Sequence, residues 1–165
     1  MHLNTIGKYL RISVTGIACI LATALVSRAA SAQAAADTAG LVRAAVAVVG
    51  DSLLPRMRSG EQPLLGEPTT EFDRWVTLKL QEQHRLALMP TQADTAEWVV
   101  TRGFTIGGDT AAVLIEVGTR SHGQPRTGID TYIETNRYLF VRTTDGWEFV
   151  RREFVRGADL GAVRG

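Results

Sequence analysis

From Ala96 onward the apolar residues alternate with period two, and this pattern constrains the fold more than any other feature of the chain. Trp98, Val100, Phe104 and Ile106 alternate with Val99, Thr101 and Thr105. Gly107-Gly108-Asp109 then makes a turn, and Ala111, Val113, Ile115 and Val117 line one side of a second strand. A loop with His122, Gly123 and Pro125 leads to a long third strand over Ile129–Arg142. Asp145-Gly146 is a two-residue hairpin signal whose turn positions both call for positive φ, and Trp147–Arg156 returns as the fourth strand. Segments this closely linked leave no room for crossover helices, so the expected sheet is an antiparallel meander.

Before Ala96 the periodicity is helical. Leu41, Ala45, Val48 and Ser52 recur at helical spacing in an Ala-rich segment, with Asp37 or Thr38 as its expected cap and Pro55 near its end. Residues 56–69, with Gly60, Pro63, Gly66 and Pro68, read as loop. Thr70 and Asp73 are spaced as a capping box for a second helix carrying Phe72, Val76, Leu80 and Ala87 on one face and ending near Met89-Pro90. Helices followed by a meander define an α+β domain.

The first 32 residues read as an address. Lys8 and Arg11 precede a 15-residue apolar run from Ile12 to Val26, and Ala30-Ser31-Ala32 offers small residues where a signal peptidase cuts. The run is shorter than the roughly 20 residues of a spanning helix, so cleavage is expected over an uncleaved anchor, after Ala32 or Ala34. Cys19, with Gly16 three positions before it, reads as part of the signal core, with a lipidated cysteine as the alternative. The expected organisation is a signal peptide over 1–32, a flexible tether over 33–40, one α+β domain over 41–157 and a tail over 158–165. The expected location is periplasmic or extracellular, with membrane contact only through the uncleaved signal.

Removing Lys8, Arg11 and Arg28 leaves 15 basic against 17 acidic residues, a balance with no footprint for nucleic acid. The arginine cluster Arg151-Arg152 and Arg156 reads as a solvated strand edge. No cysteine remains for a disulfide, and a domain of this length can bury a core without one. His84 and His122 are the only histidines left and have no metal-ligand spacing, while Gly103 and Gly107-Gly108 match no phosphate-binding loop. No cofactor or metal is expected.

Two groups of residues could carry chemistry. Asp130, Tyr132, Glu134, Asn136 and Tyr138 fall on one face of the third strand. Were that face concave, it would present carboxylates and phenols to a cavity. Asp130 or Glu134 would then be an acid–base candidate beside Tyr132 or Tyr138, and Arg102 a partner for an acid or an anionic ligand. The alternative is a plain solvent-facing surface.

The other group is Gly50-Asp51-Ser52-Leu53, which resembles the first block of the GDSL serine esterases. That resemblance makes Ser52 a nucleophile and its amide an oxyanion donor. The rest of the family pattern is missing: Asn136 lies in no Gly-x-Asn-Asp block, and neither His84 nor His122 follows an Asp by three residues.

Helices followed by long antiparallel strands, closing on Gly-Trp-Glu-Phe-Val-Arg-Arg (residues 146–152), resemble the NTF2-like superfamily over residues 70–156. The resemblance implies a cone-shaped α+β domain whose curved sheet wraps a helix around a pocket. It implies no general activity, since some members are enzymes and many bind ligands or proteins. The expected role is a binding or interaction module with Arg102, Tyr132, Glu134 and Tyr138 facing a small ligand or a protein. Apolar residues on both faces of the last strands leave two readings: a bulge switches the faces midway, or both faces are partly covered, one by the helices and the other by a second copy through the sheet.

Overall fold

The computed structural model describes residues 31–57, 62–90, 95–122 and 129–159, with His122, Ile129 and Asp130 described by backbone alone. The chain divides into two compact units, Met1–Thr38 and Ala39–Gly165. All but the last two residues of the expected signal segment lie outside the described part. The expected tether is helical instead: residues 31–48 are α-helix. Asp37 and Thr38 do not cap it but lie within it. Thr38 Oγ1 donates to the Ala34 carbonyl at 2.9 Å, and Asp37 accepts from Gln33 Nε2 at 3.0 Å. The alanines of this stretch lose little entropy in a helix, which explains why polar composition did not yield a loop.

The helical run, α1, extends from Ser31 to Arg56 and is apolar and long enough to cross a membrane by length and composition. Near the N-terminus this is compatible with a signal sequence or an anchor, but Leu41, Val42, Ala45, Val46, Val49 and Leu53 also build the core of the second unit. Its end widens into a π-turn over Val49–Leu53 and tightens to a 3-10 turn over Leu54–Arg56, where Pro55 is tolerated in the first turn.

The segment expected as loop contains strand β1, Leu64–Leu65. Helix α2, Glu71–His84, starts on the expected capping box. It stops at His84, five residues before Met89, because Arg85 takes a left-handed conformation (φ 56°). Ala87 therefore lies beyond the helix; its carbonyl accepts from Leu65, and Met89 donates to the Leu65 carbonyl.

Strands β2 (Ala96–Gly107), β3 (Thr110–His122), β4 (Ile129–Thr143) and β5 (Gly146–Asp159) follow in order. They form the expected antiparallel meander, and β1 adds to β2 in parallel, so the five-stranded sheet is mixed. At the last hairpin only Gly146 has positive φ (128°); Asp145 does not.

Bulges correct the expected faces. Thr101 pairs with Ile115 and Phe104 with Val113, so Arg102 and Gly103 together oppose Leu114. Gly103 allows this with φ of 108°. Phe104 and Ile106 thereby join Val99 and Thr101 on the helix-covered face, while Trp98 and Val100 stay on the other. Phe104 stacks on Phe72 of α2 at 4.3 Å. On β5, Phe149 pairs with Phe140 and Phe154 with Asn136, so these two phenylalanines share a face instead of opposing each other. The helix-covered core gathers Phe72, Val76 and Leu80 from α2 against Val113, Ile115 and Phe140 of the sheet.

Candidate functional site

The face of β4 that carries Tyr132, Glu134, Asn136 and Tyr138 is the helix-covered face, because these residues pair with Thr119, Val117, Ile115 and Val113 of the core side of β3. Toward the hairpin end the face is apolar and closed. Away from it a cavity of about 250 Å³ lies under the end of α1. Leu53, Arg56 and Met57 form one wall; Glu97, Val117, Thr119, Glu134, Asn136 and Arg152 come from four adjacent strands.

Asn136 is only 1 % exposed. Its Nδ2 donates to Glu134 Oε1 at 2.6 Å, which assigns the amide orientation and turns Oδ1 the other way. Oδ1 is buried and, among the described residues, has no hydrogen-bond partner. The Tyr138 hydroxyl next along the face is equally buried and has the Arg152 guanidinium as its partner. Burial pushes the Tyr138 hydroxyl above the ordinary phenol value. Arg152 pulls against this through a side-chain hydrogen bond and its positive charge, the Glu134 carboxylate adds to the rise, and Arg56 lowers it through its charge. Buried polar atoms without partners are uncommon in folded proteins, and Asn136 Oδ1 beside a cavity marks a place where something else supplies the bond. The walls carry two guanidinium groups and two carboxylates. Such a site suits a small polar molecule with an anionic group for the arginines and an N–H or O–H donor for Asn136 Oδ1.

The expected site residues are only partly brought together. Glu134 lines the cavity and Tyr138 lies on the same face of the same strand. Tyr132 is half exposed, with its hydroxyl over Gly157. The Asp130 backbone pairs with Ser121, and its side chain lies outside the described residues. Arg102 belongs to the opposite face. It forms an ion pair with Glu116 and donates to the Glu67 carbonyl at 3.0 Å. It shares that face with Val100, whereas Glu134 pairs with Val117 on the helix-covered side.

Ser52 sits in the π-turn of α1, partly buried and, among the described residues, without a side-chain hydrogen bond. The His84 ring packs on Gly50, where a Cβ would fall 2.4 Å from Nε2, but no hydrogen bond joins this ring to Ser52. Among the described residues no group of three His, Cys, Asp or Glu side chains could hold a metal ion.

Sequence reasoning missed Arg56 and Arg152. Arg56 opened the segment read as loop, and Arg152 was grouped with Arg151 and Arg156 as solvated. The bulge after Phe149 sends Arg152 to the cavity and Arg151 to the other face.

The fold and site thus define a small α+β domain with a polar cleft on the helix-covered side of a bulged sheet. No protein-family model matches the chain, and neither a curated protein nor a solved structure is significantly similar to it.

Proposed function

We propose that this chain is an exported NTF2-like domain that binds a small ligand non-catalytically in the cavity bounded by Arg56, Glu134, Asn136 and Arg152. The export half rests on the charged start, apolar run and small-residue site of the first 32 residues. The NTF2-like reading is supported by helices that precede a bulged sheet and cover one of its faces, with a polar cleft where they end. The observation that carries the binding reading is the unpartnered, buried Asn136 Oδ1 beside two arginines. The ligand class is a small molecule bearing both a carboxylate-like anion and a hydrogen-bond donor, as an amino acid does.

Thermal unfolding in the presence of individual amino acids and small dicarboxylates tests this. At a probe concentration of 100 times its Kd, the melting temperature should rise by about 8 °C. Asn136→Leu and Arg152→Gln should each abolish the rise, and Glu134→Gln should weaken it. A probe set that leaves the melting temperature unmoved, or a rise that survives Asn136→Leu, would refute the reading.

A further inference from the structure

Strand β5 is 14 residues long and, among the described residues, pairs with a strand on one side only. Its open edge carries Phe149, Val150, Phe154 and Val155, which are 38 %, 57 %, 65 % and 43 % exposed. A long apolar edge invites indiscriminate strand pairing unless its side chains restrict the partner. Here they do so in a specific way. Glu-Phe-Val-Arg occurs twice, at 148–151 and 153–156, on either side of Arg152.

We infer that β5 pairs antiparallel with β5 of a second copy of this chain, about a two-fold axis through Arg152. In that register Glu148 faces Arg156 of the second copy, Phe149 faces Val155, Val150 faces Phe154 and Arg151 faces Glu153. Every apolar residue meets an apolar one and every acid meets a base, the pairings that stabilise neighbouring strands. A shift by one residue sets Val150 against Glu153 and Arg151 against Arg152, and so is disfavoured.

The two register shifts leave Val150 and Val155 without a partner on β4, two residues before and three residues after Arg152. Such bulges blunt the edge against an indiscriminate partner strand. The faces also agree: Arg151, Glu153 and Arg156 pair with Leu139, Arg137 and Thr135 on the outer face of β4, and Glu148 with Val141 beside them. The like charges of the two Arg152 residues at the axis are separated because each guanidinium lines its own cavity. This association is independent of what the cavity binds.

Sedimentation of the full-length chain tests the register. The wild type should sediment at twice the mass of one chain. Arg151→Glu alone and Glu153→Arg alone each set like charges against each other twice per dimer, and each should weaken self-association about tenfold or more. Mixed in equal amounts, the two variants should form a heterodimer, since the two acids of one variant then face the two arginines of the other. The mixture controls for folding, and the double variant R151E/E153R should dimerise like the wild type. A monomeric wild type, single variants that dimerise as tightly as the wild type, or a mixture and double variant that both stay monomeric would each overturn the proposal.

Discussion

Gly118→Ala is expected to destabilise the domain by about 3 kcal/mol, the upper end of the cost of forcing extra atoms into a packed site. Gly118 lies in the middle of β3 directly opposite Trp98 of β2. The indole occupies the space above it, so that a Cβ would fall 2.0 Å from Cζ2 and 2.2 Å from Cε2. An alanine ordinarily helps a strand interior relative to glycine, by roughly 0.5–1 kcal/mol, and steric conflict reverses that sign here. Trp98 cannot simply swing away: it is 5 % exposed, and the Arg120 guanidinium lies over its ring at 5.9 Å. The indole fills the space that glycine leaves open, a device by which aromatic residues offset the weakness of a strand glycine. Denaturant unfolding checks this directly. The double variant G118A/W98L should recover more than about 1 kcal/mol of the loss, because residues in contact do not add. A loss under about 1 kcal/mol for Gly118→Ala would show that the ring does not hold its place.

Asp73→Ala should cost about 3 kcal/mol as well, through electrostatics and hydrogen bonding instead of packing. The carboxylate is fully buried. Its Oδ2 accepts from the Thr70 amide at 2.9 Å and the Thr69 hydroxyl at 3.0 Å, and its Oδ1 accepts from the Gly103 amide at 3.0 Å. One side chain thus closes the capping box of α2 and satisfies the amide that the β2 bulge frees. Thr70→Ala, which removes the hydroxyl's half of the cap, should cost only about 1 kcal/mol.

Burial alone would raise the Asp73 carboxyl value, but the hydrogen bonds from the Thr70 hydroxyl and amide and the Thr69 hydroxyl outweigh it, and the value is lowered. A carboxyl lowered in the folded state adds stability above its unfolded value and loses it as pH falls through the folded one. The stability difference between wild type and Asp73→Asn should therefore be constant near neutral pH and shrink on acidification below the ordinary aspartate range. A difference that grew on acidification would assign the opposite sign to this group.

How far the sequence could be read depended on whether a feature was local. The capping box was legible because Thr70 and Asp73 are three residues apart and need only the helix to meet. Asp73's third bond was not, since Gly103 is 30 residues away and its amide is freed only by the bulge. The four long strands were legible from alternation, but β1 was not. Two leucines between prolines and glycines show no period, and only the neighbouring Trp98 and Val99 make them a strand. Glu134 and Tyr138 were assigned to one face by the period of two, and that face is the one the helices cover. Arg102 was expected to partner an acid of that face, but it shares the outer face with Val100 ahead of the bulge, and only the pairing between strands shows that Glu134 lies on the other face.

What the sequence determined by itself is the α+β order of elements, the meander and the start of α2, all set by periodicities and caps that act within a few residues. Tertiary structure alone decided which face the helices cover, where the bulges fall, and hence that Arg56, Glu134, Asn136 and Arg152 share one cavity while Arg102 pairs with Glu116 on the other side. The reason is that side-chain direction in a sheet follows from the pairing register. Register is settled by packing between distant segments and not by any residue's own preference.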